Sequence, residues 1–181
     1  MKHEIRIAGA GGQGVVTAGR ILAEAAILSG LNATHTQVYG PQSRGGASRS
    51  DVVIADGDIG FPLADSIDLL VVLSEEAFAR FGADADPAAT MLVDEQAVPE
   101  GVAQSDTTHV YPVVEAARTV SGGQIAVGVV ALGMLQGFAG VVQSDALRSA
   151  VAARVPARHR EMNFEALDAG LGLVAGGEGR D

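Results

Sequence analysis

Residues 4–20 read EIRIAGAGGQGVVTAGR, and the fold turns on this stretch. Ile5, Ile7 and Ala8 form a short apolar run, which predicts a strand over 4–8 ending at Gly9. Val15, Val16, Ile21, Leu22, Ala25, Ala26 and Leu28 recur near helical spacing, which predicts a helix over 13–29 with Gly30 as its stop. Between them Gly9, Gly11 and Gly14 fit G-x-G-x-x-G. Glycines there allow a tight turn and close backbone approach, and a helix N-terminus attracts anions. Three meanings stay open: a dinucleotide site, a site for another phosphate, or tight strand-to-helix packing. The first needs a carboxylate about 20 residues on, to hold the ribose. After Glu24 the next acid is Asp51, and the end of the second extended segment carries Thr36, Gln37 and Val38. No Gly-Lys-Ser/Thr follows the loop, which speaks against ATP hydrolysis.

Further along, residues 32–38 return as an extended segment and 39–48, YGPQSRGGAS, read as a loop. Strands are predicted at 48–56, 67–74, 90–95 and 108–113, with helices at 75–82, 112–119, 123–138, 144–155 and 157–174. Ser144 stands as the N-cap of the fourth of these helices. The helix over 123–138 is almost free of charge and reads as buried, as core or as interface. Strands alternating with helices predict an α/β fold: a three-layer α/β/α sandwich with a Rossmann-like start and a mostly parallel or mixed sheet. The strand at 48–55 follows its predecessor through a loop alone, so an antiparallel placement is open. One domain is expected over 1–175, with 176–181 as a frayed tail.

Composition narrows the function. With 48% hydrophobic residues and only 4% aromatic, the core must be built from Val, Ala, Leu and Ile, as in a sheet under helices. Phe61, Phe78, Phe81, Phe138 and Phe164 read as core packing rather than a stacking platform. A net charge of −10 argues against nucleic acid, which needs a basic surface. No apolar run reaches about 18 residues and no signal-peptide pattern opens the sequence, so a cytoplasmic protein away from the membrane is expected. The sequence holds no cysteine, so this chain cannot ligate an iron–sulfur cluster through thiolates or use a thiol nucleophile. His3, His35, His109 and His159 are scattered without metal spacing and read as surface or structural. No catalytic and no metal-ligating residue is assigned.

The loop at 39–48 is the second candidate site. Tyr39-Gly40-Pro41 and Arg44-Gly45-Gly46 gather an aromatic, a cation and glycines at a strand end. Two glycines after an arginine let backbone amides and a guanidinium converge on one anion.

RIAGAGGQGVVTAGRILAEAA, YGPQSRGGASRSDVVIAD, DLLVVLSEEA, LGML and EMNFEALDAG together resemble the gamma subunit of 2-oxoacid:ferredoxin oxidoreductases. The string GLNATHTQVYGPQSRGGASRSDVVIAD is most similar to the 2-oxoglutarate branch. The resemblance spans about residues 4–172. It implies a complex that decarboxylates a 2-oxoacid on thiamine pyrophosphate, passes electrons through [4Fe-4S] clusters to ferredoxin, and transfers the acyl group to coenzyme A. It implies that the thiamine and the clusters lie on partner chains, alpha and beta and in some complexes delta. Ferredoxin is then an indirect partner, and a homo-oligomer is the form open to the isolated chain. The implied role of this chain is assembly and coenzyme A binding. Gly11, Gly12, Gln13 and Gly14 are the candidate phosphate cradle, with Tyr39, Arg44, Gly45 and Gly46 as further cofactor-binding candidates, the last three on the face turned toward the partner chains. Alternatives are the same subunit of a pyruvate, branched-chain 2-oxoacid or indolepyruvate complex, and a free-standing nucleotide-binding regulatory module. One departure stands out: the family has Asn four residues before the Leu-Gly of the apolar helix, where this sequence has Gly128, whereas Asn163 matches a later family Asn.

Overall fold

The computed structural model describes residues 1–38, 46–99 and 105–176. Six strands form one sheet: β1 (Lys2–Ala10), β2 (Asn32–Val38), β3 (Ala47–Ala55), β4 (Ile67–Val72), β5 (Ala85–Asp94) and β6 (Thr108–Tyr111). Their order is β2-β3-β1-β4-β5-β6. β1, β4, β5 and β6 are parallel, while β3 runs antiparallel to both β1 and β2. The sheet is therefore mixed, and the antiparallel option for the third strand is realised. The helices are α1 (Val15–Leu28), α2 (Glu75–Phe81), α3 (Val113–Ser121), α4 (Val127–Ala139), α5 (Ser144–Arg154) and α6 (Arg160–Ala175).

The pleat sorts the core into two unequal halves. Ile5, Ile7, Val52, Ile54 and Val71 face one way, into a large cluster with α1, α3, α4, α5 and α6. Ala8, Ala47, Leu70, Val72 and Val93 face the other way, toward α2 alone. The expected third layer is thus one short helix, a 3-10 turn at Gly82–Asp84 and the segment after β3. On this thin side the sheet carries charge. Arg6 grips Asp51 with Nε on Oδ1 at 2.7 Å and Nη2 on Oδ2 at 2.9 Å, and Nη1 reaches Asp84 Oδ2 at 2.8 Å. Both Arg6 and Asp51 are buried, so the pair fixes β1 against β3 rather than serving the surface.

α4 shows why its sequence lacks charge: nine of its residues are buried, and its neighbours are α6, α3 and α1. It begins at Val127 rather than 123, because Gly122 ends α3 in the left-handed region and 124–127 form a turn closed by Val127 N–H on Gln124 O. Two further expectations are corrected. Gln143, not Ser144, holds the N-cap position of α5, and its own N–H is drawn to Ser29 Oγ at 2.9 Å. Phe61 is exposed, on the segment after β3, whereas Phe81 is buried and Phe78, Phe138 and Phe164 pack partly buried against the core. Among the described residues no helix is long and apolar enough to cross a membrane.

Candidate functional site

The glycine loop leaves the C-terminal end of β1, beside β4, where the chain paths on either side of the sheet diverge. In open α/β sheets that crevice is where ligands collect. Here Gln13 closes it. Its side chain is buried, its Oε1 accepts from Ala10 N–H at 2.7 Å, and its Nε2 donates to Leu73 O at 2.9 Å just past β4. The Gln13 N–H is also spent, on Ala10 O at 3.2 Å. Gln13 therefore braces the loop, and its polar groups face inward.

The open space lies on the other side of the loop. A cleft of about 240 Å³ sits where the start of α1, the start of α4 and the junction of α5 with α6 meet. Gly12 and Gly14 line it, with φ of 93° and 74°, values that disfavour any side chain at these positions. α1 has no side-chain cap and no acidic residue in its first turn, so its leading N–H groups are left to another partner. The opposite wall is Gly128. A Cβ there would stand 2.8 Å from Gly14 O and 3.1 Å from Gln13 O, so α4 touches the loop backbone to backbone. The departure at 128 is thus a fitted glycine, and no side chain from that position enters the cleft.

The rest of the lining mixes apolar and polar groups. Ile125, Val129, Val155, Pro156 and Met162 supply hydrocarbon. Among the described residues no carboxylate lines the cleft, and Arg154 stands at its edge, paired with Glu24. His159 also borders it, its Nε2 accepting from Arg158 Nε at 3.0 Å. Asn163 is 6% exposed. Its Nδ2 donates to His159 O at 2.8 Å, which fixes the amide orientation, and its Oδ1 accepts from no described residue.

Gly11 and Gly12 are exposed beside the cleft and Gly14 is half-buried within its wall. Gly46, with φ of 94°, leads into β3. Tyr39, Arg44 and Gly45 lie outside the described residues. The linear reading did not single out Arg154 or Met162. It took His159 as surface or structural, and it met Asn163 only through the family resemblance. They come from the last 30 residues, and only the packing of α4 and α5 against α1, and of α6 against α4, brings them to the loop. Elsewhere, the buried Asp94 is spent on backbone: it accepts from Gln96 N–H at 2.9 Å and Val114 N–H at 2.8 Å, and burial raises its pKa. Among the described residues no cluster of three or more metal-ligating side chains occurs.

Comparison with known proteins accords with this geometry. The family model described as pyruvate ferredoxin/flavodoxin oxidoreductase matches residues 4–173. The 2-oxoglutarate synthase subunit KorC of Methanothermobacter marburgensis is 40% identical over 185 residues, covering 98% of this chain and all of the relative. The crystal structure of the keto/oxoacid ferredoxin oxidoreductase gamma subunit from Geobacter sulfurreducens superposes with a TM-score of 0.83 at 37% identity, covering 97% of this chain and 98% of that one. The 2-oxoglutarate:ferredoxin oxidoreductase of Magnetococcus marinus shares the fold at TM-score 0.82 and 21% identity, with this chain matching 31% of its length. On these grounds the chain belongs to the pyruvate ferredoxin/flavodoxin oxidoreductase family, as a chain of the gamma-subunit type.

Proposed function

We propose that the chain is the gamma subunit of a 2-oxoglutarate:ferredoxin oxidoreductase and that its glycine cleft receives part of coenzyme A. The observation that carries the first half is end-to-end similarity to KorC at 40% identity. The complex would convert 2-oxoglutarate, coenzyme A and two oxidised ferredoxins into succinyl-CoA, carbon dioxide, a proton and two reduced ferredoxins. Thiamine pyrophosphate supplies the carbanion chemistry and [4Fe-4S] clusters carry the electrons, both on partner chains. A sequence with no cysteine offers no thiolate for a cluster.

What this chain contributes is binding and docking. The uncapped N–H groups of α1 favour an anion, and no carboxylate among the described lining residues opposes that field. A coenzyme A phosphate is such an anion. Among the described residues no hydroxyl in the cleft is hydrogen-bonded to a base, and we assign the acyl transfer itself to the partner chains.

The test is reconstitution. The chain is co-expressed with its alpha and beta partners and assayed for viologen reduction that requires both 2-oxoacid and coenzyme A. The expected result is a complex seen by native mass spectrometry whose activity needs this chain and prefers 2-oxoglutarate over pyruvate, 2-oxoisovalerate and indolepyruvate. A preference for one of the other acids would move the chain to a sister complex. Purification of the chain alone with a bound adenine nucleotide would favour a free-standing regulatory module.

A further inference from the structure

We infer that the glycine cleft holds the phosphopantetheine end of its ligand, with the Asn163 amide oxygen accepting a hydrogen bond from that arm; this rests on the coenzyme A reading above. Three properties of the cleft select a ligand class. The first is charge. Uncapped N–H groups at the start of α1, with no carboxylate among the described lining residues and with the Arg154 guanidinium at the edge already balanced by Glu24, favour an anion such as a phosphate ester.

The second is an acceptor awaiting a donor. Asn163 is more than nine-tenths buried and lines the cleft. Its Nδ2 is committed to a carbonyl, His159 O, and a carbonyl can only accept. Oδ1 is therefore the free end of the amide and takes no hydrogen bond from the described residues. Among the described residues the fully buried polar side-chain atom without a hydrogen-bond partner is Arg49 Nε, so Asn163 Oδ1 keeps some exposure and a ligand in the cleft can donate to it. The diphosphate of coenzyme A carries no proton at neutral pH and cannot donate, whereas the hydroxyl and the amide N–H four and five bonds beyond the ester oxygen can.

The third is shape. The cleft, at about 240 Å³, is smaller than the roughly 300–1,000 Å³ that enclose a drug-sized ligand, so it takes a part of coenzyme A and not the whole. Its walls are aliphatic: Val129, Val155, Pro156 and Met162, with Ile125 at the edge. Among the described residues His159 is the one ring in the lining and no Phe, Tyr or Trp joins it, so the walls suit hydrocarbon better than an enclosed adenine. The pantetheine arm has the matching order of groups: phosphate, a branched hydrocarbon carbon, a hydroxyl, then an amide N–H. The adenosine end offers the anion and a donor but brings a flat ring in place of the branched carbon.

The experiment uses the reconstituted complex and four probes: coenzyme A, pantetheine 4′-phosphate and pantetheine as acyl acceptors, and adenosine 3′,5′-bisphosphate as inhibitor. In the wild type, pantetheine 4′-phosphate is expected to reach a KM within about threefold of coenzyme A, and pantetheine to be at least roughly tenfold worse. Asn163→Ala is expected to raise the KM of both phosphorylated acceptors by roughly tenfold while the KM for 2-oxoglutarate stays put. Because Asn163 also steadies the α6 start, the wild-type acceptor series stands on its own if that variant fails to assemble. If adenosine 3′,5′-bisphosphate competes strongly and pantetheine 4′-phosphate is no better than pantetheine, the adenosine end fills the cleft. The inference then falls while the coenzyme A reading survives. If neither Asn163→Ala nor Gly12→Ala alters the KM of any acceptor, the cleft holds no part of coenzyme A and both fall.

Discussion

α4 makes two contacts in which a glycine lets backbone meet backbone, and they end differently. In its middle, Gly133 lies against α6: a Cβ on it would stand 2.1 Å from Leu167 O, and one on Gly170 would stand 2.0 Å from Val130 O. At its start, Gly128 lies against the loop carbonyls at 2.8 and 3.1 Å. The first contact is sealed by core on both sides, with Leu132, Met134 and Leu135 fully buried around it. The second is sealed on the side of Gln13 and open on the side of Asn163, and the opening is the cleft. The same packing device thus gives structure where hydrocarbon surrounds it and a binding surface where a helix N-terminus is left uncapped. Substituting the glycines should separate the two roles.

The largest effect is expected at the sealed contact. Gly133→Ala must push α4 and α6 apart, because the obstacle is a backbone carbonyl that no rotamer change can move. Overpacking of this kind costs about 3 kcal/mol at the upper end of its range, against a gain of about 1 kcal/mol from replacing a helical glycine. A net loss of about 2 kcal/mol in a denaturant titration is expected. Gly170→Ala should cost a similar amount. The double variant should cost less than the sum, since one separation of the helices relieves both clashes. Fully additive losses would mean that the two glycines do not share one contact.

Next comes Gly128→Asn, which restores the residue that the family resemblance leads one to expect. The approach is less severe than at Gly133, so a loss of about 1 kcal/mol is expected. Its sharper signature is functional. Displacing the start of α4 changes the cleft wall, so the KM for coenzyme A should rise while that for 2-oxoglutarate holds. A Gly128→Asn complex with unchanged coenzyme A kinetics would show that this wall has no part in binding.

Gly12→Ala is smaller again and isolates backbone strain. No atom lies within 4 Å of the position its Cβ would take, so there is no clash, but φ of 93° suits glycine alone. About 1 kcal/mol of strain is expected, read as a lowered denaturation midpoint together with weaker coenzyme A binding. Loss of stability without loss of binding would make the loop a structural turn only.

Much of this architecture could be read from the sequence, and what could not has a physical reason. β1, α1 and the glycine loop announce themselves because one apolar run, three glycines and a helical repeat occur within 25 residues. The buried run at 69–73 and the uncharged α4 are legible for the same reason: solvent exclusion leaves a compositional trace. The sequence pattern predicts β5 at 90–95, yet the strand begins at Ala85, since Asp86 and Pro87 at an irregular pairing with β4 leave no strand pattern. The ionic face is hidden too. Arg6 and Asp51 look like solvent-facing polar positions, and only the antiparallel register that sets Arg6 opposite Asp51 makes them a buried pair. The cleft was half legible. Its glycine wall is local in sequence, but Asn163 and Arg154 reach it through helix packing across about 150 residues of chain, which no short-range pattern encodes.

The third glycine contact carries a titratable group and the smallest expected effect. A Cβ on Gly19 would fall 1.9 Å from Ser50 Oγ and 2.9 Å from His35 Nε2, so α1 presses onto β2 and β3 at a point where His35 Nε2 and Ser50 Oγ are 2.6 Å apart. Burial lowers the His35 pKa, the Arg20 cation lowers it further, and Asp51 opposes both. The folded protein is therefore slower to accept a proton on His35 than the unfolded chain. As pH falls below about 6.5, the unfolded chain takes up the proton first, and stability must decline toward acid. It is complete above that value. The expected result is a denaturation midpoint that is level at neutral pH and drops modestly between pH 6.5 and 5. In His35→Gln, which keeps a partner for Ser50 but does not titrate, the part of that drop owed to this contact should vanish. An identical drop in the variant would place the titration elsewhere. A drop that disappears would show that the α1 contact is neutral by construction, in contrast to the glycine cleft, whose open side favours charge.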